Sequence, residues 1–272
     1  MPKWLVATYQ PASLFSLRTT YATGKGGKTL LLPTPYSVRM ALLDACFRCF
    51  GPSSAESVAR QAFKTLKGSA IRFRPPEHCV VNNTFLKTLD RERYGDSPYK
   101  HTITYREFAA FAGELAIAID CGGWTAFETS QISALLPHIN TFGKRGSFWQ
   151  FLHAETLDEA LPPHFAVPQT ELSPDQMLSH LTTQALDDFG APLVADAKGF
   201  DRVSTYGSET IKLERHRILV LTAVPYRRRA ASRDFTWYQR TLKANPLRAK
   251  HVSLPRLAPP AHLFPLLRTR RP

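Results

Sequence analysis

Residues 22–50, ATGKGGKTLLLPTPYSVRMALLDACFRCF, decide between two different folds. The first eight residues match the permissive P-loop pattern Ala-x4-Gly-Lys-Thr, and residues 115–120 imitate the Walker B strand that accompanies a P-loop. A P-loop needs its Lys and Thr to open a helix, because the amides at the helix N-terminus hold the phosphates. Here Pro33 and Pro35 follow Thr29 too closely for a helix to begin there. An NTPase is therefore the less favoured alternative.

Helical spacing begins only after the second proline. From residue 37 to residue 50 apolar positions recur three and four residues apart, and Gly51-Pro52 ends the run. Residues 55–66 repeat the pattern. The segment before the first helix is then a cationic loop, in which Lys25 and Lys28 are suited to phosphate contacts that need no hydrolysis.

The order of the predicted elements indicates an α+β fold. Strands are predicted at residues 4–9, 70–74, 108–120 and 218–224. The two helices separate the first two strands, and a capping box of Thr125 and Glu128 begins another helix that Pro137 ends. This order is typical of βαββαβ domains of the ferredoxin-like or RRM type. A second capping box, Ser173 with Gln176, predicts a helix that reaches Asp188.

Residues 77–106 form a long polar insertion between the second and third strands. Two short β-prone segments, at residues 79–81 and 102–105, flank its polar centre. A segment of this length without an apolar face is usually functional or disordered. We therefore predict a protruding hairpin.

Charge is abundant and unevenly placed. The net charge of +13 and the pI near 9.8 indicate a polyphosphate partner. Residues 155–201 contain nine acids and one base, so we expect them to face away from a bound anion or toward a basic protein. From Pro225 onward there are twelve Lys or Arg and one acid, which predicts an electrostatic arm or groove wall. A solubilising tail is the alternative.

A second glycine-bearing loop occupies residues 138–148. Two glycines flank Lys144 and Arg145, so the backbone can approach a phosphate while the two cations neutralise it. Phe142, Phe148 or Trp149 would offer a stacking face. The alternative is an ordinary turn into an aromatic core strand.

Cysteine usage and hydropathy bear on the compartment. Cys46 and Cys49 form a CxxC, but it lies in a helical pattern, without a second CxxC or a His pair to complete a zinc site. We therefore expect buried thiols, no metal and no cofactor. The first residues lack the apolar run of a signal peptide, and no apolar segment approaches the length of a membrane span. The expected location is cytoplasmic, with no membrane partner.

Three segments resemble the Cas-five (Cas5) family of type I CRISPR Cascade complexes. They are TTYATGKGGKTLLLPTPYSVRMALLDA (19–45), VVNNTFLKTLDRERYGDSPYKHTITYREFAAFAGELAIAI (80–119) and INTFGKRGSFWQF (139–151). Cas5 proteins are members of the RAMP superfamily with a modified RRM fold. The resemblance thus implies a RAMP palm domain at residues 1–154 with a thumb hairpin at 77–106. Residues 155–272 would form a smaller C-terminal region with a basic, proline-rich tail.

The resemblance also implies a role. Cas5 proteins hold the five-prime handle of the crRNA, and their thumb wedges against the neighbouring backbone subunit to cap the filament. The implied partners are crRNA, the Cascade backbone and large subunits, and target DNA, which the complex recognises through guide pairing. The residues expected to bind RNA are Arg18, Lys25, Lys28, Arg39, Asn82, Arg91, Arg93, Lys100, Arg106, Lys144, Arg145 and Ser147.

One branch of the family cleaves precursor crRNA with a Tyr, Lys and His set and without metal. Tyr99, Lys100 and His101 lie side by side in the insertion and could form such a set, with Tyr105 as the alternative tyrosine. General acid-base chemistry requires these groups to converge in space, which adjacency does not establish. A non-catalytic subunit is therefore favoured, and a metal-independent crRNA endoribonuclease is the alternative.

Overall fold

The architecture is that of a computed structural model of the 272-residue chain, which describes residues 3–22, 27–91, 99–143, 146–172, 182–204, 207 and 209–241. The strands are β1 (Trp4–Pro11), β2 (Leu17–Arg18), β3 (Thr29–Leu30), β4 (Ile71–Arg74), β5 (His78–Arg91), β6 (Tyr99–Ala112), β7 (Leu115–Asp120), β8 (Trp149–Leu157), β9 (Val167–Pro168), β10 (Thr182–Phe189), β11 (Arg217–Val224), β12 (Tyr226–Ala231) and β13 (Phe235–Arg240). The α-helices are α1 (Pro35–Cys49), α2 (Ala55–Leu66), α3 (Ala126–Leu135), α4 (Ala191–Ala195) and α5 (Gly199–Val203). This content confirms the predicted α+β class.

The central sheet has the strand order β4-β7-β1-β8, and each neighbouring pair is antiparallel. Its two inner strands are apolar and buried on both faces, which agrees with the nearly continuous apolar runs at residues 4–9 and 115–119. One face carries Leu5 and Ile117 into the main core, where helices α1, α2 and α3 also bury side chains. The other face packs Val6 and Ala118 against Phe165.

Helix α1 begins where the proline pair permits. Thr34 caps it, accepting a hydrogen bond from the Ser37 backbone amide, and Pro35 occupies the first turn, where a missing amide hydrogen costs nothing. The predicted helix after the prolines is confirmed, and it starts two residues earlier than its apolar pattern does. The capping box of Thr125 and Glu128 at α3 is likewise confirmed.

The predicted hairpin is present and longer than expected. Strands β5 and β6 have 14 residues each and pair in a continuous antiparallel register. Residues 108–112, which the sequence pattern joined to the strand at 115–120, belong to β6 instead. The two strands are separate because Gly113, with a φ of 116°, interrupts the extended backbone between β6 and β7.

The C-terminal half differs most from expectation. The predicted helix ending at Asp188 is wrong over residues 182–188, because these residues lie in β10 and pair with β11; residues 173–181 lie outside the described ranges. The predicted strand at 218–224 is confirmed as β11. Strands β12 and β13 were not predicted. They form a hairpin that joins β5, giving a sheet of order β12-β13-β5-β6.

The two predicted regions share a core. Leu186, Phe189 and Tyr226 pack in the same cluster as residues of the central sheet. The predicted boundary after residue 154 falls inside β8. Within the part of the chain that the structure describes, none of the helices combines the length and apolar character needed to cross a bilayer.

Candidate nucleic-acid interface

The P-loop look-alike ends in a strand and not in a helix. Thr29 lies in β3 opposite Arg18, and its buried hydroxyl accepts a hydrogen bond from the amide of the neighbouring Leu17 at 2.8 Å. The same hydroxyl donates to the Leu30 carbonyl at 2.9 Å. A P-loop threonine must present its hydroxyl to a nucleotide-bound metal ion, and this one is already engaged in the protein interior. The expectation that no helix opens at Thr29 is confirmed.

The C-terminal end of the lysine-bearing loop is hydrogen-bonded to the base of the β5-β6 hairpin. The Gly27 amide donates to the Tyr105 carbonyl at 3.0 Å, and the Glu107 amide donates to the Gly27 carbonyl at 3.2 Å. The Glu107 carboxylate also accepts from the Thr29 amide at 2.9 Å. Gly27 has a φ of 143°, a conformation that L side chains rarely adopt, so a glycine suits this approach to β6.

The N-terminal end of the loop is hydrogen-bonded to β10. Thr20 donates a hydrogen bond to the buried Asp187 carboxylate, which also pairs with Arg217. Arg217 in turn donates to the Thr20 hydroxyl at 2.8 Å and stacks over the ring of Tyr36, 4.0 Å from its centroid. Both ends of the lysine-bearing loop are therefore anchored by packed structure.

These anchors bring three predicted RNA-binding cations together. Arg18 lies opposite Thr29 in the β2-β3 pair, Lys28 precedes Thr29, and Arg106 forms a β-bridge with Gly27. Arg18 and Lys28 are exposed, and Arg106 is half-buried. We call Arg18, Lys28 and Arg106 the junction surface. Lys25, the other predicted cation of the loop, lies outside the described residues.

Arg39 is not part of an RNA-binding surface. Its side chain is buried, with 3% of the residue exposed, and its guanidinium pairs with Asp188. It also donates to the carbonyls of Leu66 at 3.2 Å and Ser69 at 2.6 Å, and lies over the Phe189 ring. Burial raises the pKa of the Asp188 carboxyl, while Arg39 acts in the opposite direction. The expectation that Arg39 faces RNA is wrong, because its donors are satisfied inside the protein.

The glycine-bearing loop at residues 138–148 is only partly described. Ser147 is buried and its hydroxyl accepts from the Ser16 amide at 3.3 Å, so its predicted contact with RNA is wrong for the side chain. Of the three aromatic candidates, Phe142 and Trp149 pack in the core and only Phe148 is exposed. The predicted cations Lys144 and Arg145 lie outside the described residues.

The hairpin separates the residues proposed for catalysis. Tyr99, Lys100 and His101 are consecutive and exposed on β6, opposite Arg91, Asp90 and Leu89. Successive side chains of a strand point to opposite faces, so Lys100 lies on the face away from Tyr99 and His101. The trio therefore does not converge.

The remaining predicted RNA contacts are distributed along this hairpin. Arg91 and Lys100 are exposed near its tip, and Asn82 is half-buried near its base. Arg93 lies outside the described residues.

One face of the hairpin carries an apolar surface that the sequence reasoning missed. Phe85 and Ile103 are 62% and 67% exposed, and Leu89 and Tyr99 are similarly exposed. The continuous register places all four on the same face. We call these four residues the apolar hairpin face. All four residues of this face are at odd-numbered positions, which is the period-2 pattern of a strand. The sequence contains this pattern, but polar residues at the intervening positions make it difficult to recognise.

The acids of residues 155–201 are largely engaged within the chain. Glu171, Asp187, Asp188, Asp196 and Asp201 form ion pairs with Arg72, Arg217, Arg39, Arg202 and Arg60 respectively. Hydrogen bonds from Arg202 lower the pKa of Asp196. Because arginines of the same chain engage these five acids, the expectation that they face a basic protein is wrong for them. The expectation that the segment faces away from a bound anion stays a prediction. The three pairs with Arg72, Arg39 and Arg60 join the C-terminal half to the rest of the fold.

Comparisons with known proteins point to CRISPR systems. No family model matches the sequence. The chain is 24% identical over 121 residues to the CRISPR-associated protein Cas5 of Archaeoglobus fulgidus, an alignment that covers 44% of this chain and 52% of that protein. The chain thus spans about half the length of this curated relative. The sequence resemblance to Cas5 is confirmed.

Two solved structures were also found by their fold. A CRISPR protein from Archaeoglobus fulgidus aligns with a TM-score of 0.43 and 11% identity, over 88% of this chain and 92% of that chain. A chain of the Type III-B Cmr-beta complex bound to cognate target RNA aligns with a TM-score of 0.36 and 11% identity, over 86% of each chain.

Proposed function

We propose that this protein is a non-catalytic RNA-binding subunit of a CRISPR effector complex and that its junction surface holds the five-prime handle of the crRNA. The observation that carries the proposal is the anchoring of a lysine-bearing loop on the base of a protruding hairpin, where Arg18, Lys28 and Arg106 come together. Clustered cations on fixed backbone neutralise phosphates without reading base edges. The likeness to Cas5 supplies the class of RNA.

The topology supports a RAMP palm domain of the ferredoxin-like type. Numbered by their place in a βαββαβ unit, β1, β4, β7 and β8 are the first to fourth strands, and the sheet order is then second, third, first, fourth. Helices α1 and α2 connect the first pair and α3 the last, as that unit requires. The long β5-β6 hairpin extends from between the second and third strands, where a thumb would be.

The apolar hairpin face supports a protein contact by this thumb. Four large apolar side chains on one face of a hairpin expose more apolar surface than solubility favours, and such patches often mark interfaces. We assign this face to the neighbouring backbone subunit of the effector. The large subunit and the target DNA would meet the chain only through the assembled complex, in which guide pairing reads the target.

The proposal is tested by measuring the affinity of the purified protein for a fluorescently labelled crRNA containing its handle. Lys28→Ala should weaken binding, and Lys28→Arg should restore it, because only the charge is required. Lys64→Ala is the matched control, since Lys64 is an exposed lysine on α2. Equal affinity of the Lys28→Ala and Lys64→Ala proteins would refute the assignment of the junction surface.

The non-catalytic part of the proposal has its own test. Precursor crRNA incubated with the protein in EDTA should stay intact, because Tyr99, Lys100 and His101 do not converge. Products of handle length that disappear in His101→Ala would establish the endoribonuclease alternative instead.

A further inference from the structure

The outer face of the β12-β13-β5-β6 sheet carries aromatic side chains that the proposed function does not use. In the register of this sheet Asn82 lies between Phe235 on β13 and Phe108 on β6. Trp237 follows Phe235 by two residues on β13, so it points to the same face. Phe108, Phe235 and Trp237 are each half-buried.

Two arginines of β12 join these aromatic residues. Arg227 pairs with Gln239 in the register, and Arg229 donates a hydrogen bond to the Gln239 side chain at 2.8 Å. Gln239 lies two residues beyond Trp237 and so shares its face. The register shift between Arg228 and Ala230 is a bulge, which lets Arg229 turn toward this face. Both Arg227 and Arg229 are exposed.

The face is directed away from the main core. Cys79, Val81 and Ala109 point to the opposite side of β5 and β6 and are buried in the core. On the outer side, Trp237 donates from its indole nitrogen to the His78 ring at 3.3 Å, which fixes the orientation of the indole. We call Asn82, Phe108, Phe235, Trp237, Arg227 and Arg229 the sheet platform.

We propose that the sheet platform binds single-stranded RNA by base stacking, beside the backbone contacts of the junction surface. Stacking on aromatic side chains combined with cations for the phosphates is how sheet surfaces bind single strands. Phe235 and Trp237 are two residues apart on one strand, about 6.7 Å, a spacing that presents separate rings to successive unstacked bases. Arg227 and Arg229 lie at the edge of the platform, where the phosphates of such a strand would run.

Charge favours a nucleic acid as the occupant of this face. The chain beyond residue 241 contains seven Lys or Arg and no acid, so its charge is not complementary to Arg227 and Arg229. An apolar protein partner would have to desolvate these exposed guanidinium groups. A polyanion with flat bases satisfies both the arginines and the aromatic rings.

The inference rests on the proposed RNA-binding function, and its experiment isolates the platform. The oligonucleotide U12 is titrated into the full-length protein while tryptophan fluorescence is recorded. The chain has four tryptophans, so the difference between wild type and Trp237→Phe reports the signal of Trp237. We expect U12 to quench this signal and Trp237→Phe to bind within about threefold of wild type, because a phenyl ring still stacks.

The loss variant is Trp237→Leu, which keeps a large apolar side chain without a π-face. We expect U12 to bind it about 5- to 150-fold more weakly, the range for losing one stacked base. Inorganic polyphosphate, which has charge but no bases, should bind wild type and Trp237→Leu equally, and circular dichroism should show that both proteins are fully folded at the assay temperature.

Three results would overturn the inference. They are U12 binding to Trp237→Leu within twofold of wild type, an equal loss of polyphosphate binding, and preferential binding of dT12 over U12. Lys28→Ala separates the two proposals. If Lys28→Ala weakens binding of handle RNA and Trp237→Leu does not weaken U12 binding, the platform fails while the proposed function stands. If wild type binds neither RNA, the proposed function itself fails.

Discussion

Replacing Asp188 with Asn should destabilise the protein strongly. Asp188 supplies the negative charge opposite Arg39. The side chain of Arg39 is 4% exposed and that of Asp188 is 25% exposed. Removing one partner of a buried ion pair costs about 3–5 kcal/mol, because the other charge is left uncompensated. The amide can still accept from Arg39, and water reaches the exposed side of Asp188. We therefore expect about 2–3 kcal/mol, below that range.

The assay is urea unfolding at pH 7 followed by circular dichroism, with Asp201→Asn as the matched control. Asp201 pairs with Arg60, but that pair is on the surface, because the side chain of Arg60 is 42% exposed and that of Asp201 is 30% exposed. Such pairs contribute about 0–1 kcal/mol. Because the argument depends on burial, a free energy of unfolding that falls equally in the two variants, or by less than about 1 kcal/mol in Asp188→Asn, would refute it.

Three further predictions test other parts of the fold. Under native conditions a thiol reagent should modify Cys49 and leave Cys46 unmodified, because Cys49 is exposed while burial raises the pKa of Cys46 to about 11; equal labelling rates would contradict this. Hydrogen bonds from Thr125 lower the pKa of Glu128. The ionised Glu128 cap should therefore stabilise the protein at pH values above the ordinary pKa of a carboxyl group, and this stabilisation should be lost as the pH falls through the lowered pKa. The stability difference between wild type and Glu128→Gln in urea should therefore shrink from pH 7 to pH 3, and a constant difference would argue against it. Ile103→Lys should change stability by less than about 0.5 kcal/mol, since the side chain is 67% exposed, yet it should reduce copurification of the neighbouring effector subunit. Lys64→Ala, at an exposed position on α2 away from the hairpin, is the control, and unchanged copurification of Ile103→Lys would contradict the interface.

Local sequence signals predicted the elements that depend on local chemistry. The proline pair and Thr34 determine where α1 can begin, and Thr125 with Glu128 determines the start of α3. These caps act within four residues, so they are legible without knowing the fold. The hairpin was predicted because its sequence is long and polar. The end of β6 at Ala112 was not predicted, because it depends on the positive φ of Gly113, and a glycine in a sequence does not by itself indicate that conformation.

Long-range partners explain what the sequence could not show. Arg39 lies on a helix beside a cationic loop, and only the fold shows that it forms an ion pair with Asp188, 149 residues later in the chain. The capping box of Ser173 and Gln176 predicted a helix through residues 182–188, yet these residues form a strand that pairs with β11. Tertiary pairing overrides local propensity in this way whenever a strand completes a buried network. The junction surface was predicted as separate cations, and the loop anchors at Gly27 and Thr20 are what unite them.

The central claim is that fixed cations of the junction surface hold RNA phosphates, and the salt dependence of binding tests it most directly. The affinity of wild type and of the double variant Arg18→Ala/Lys28→Ala for handle RNA is measured from 50 to 300 mM salt. Each lost contact with a single strand lowers the slope of log Kobs against log salt by about 0.7, so the double variant should show a slope smaller by about 1.4. An unchanged slope would contradict the account.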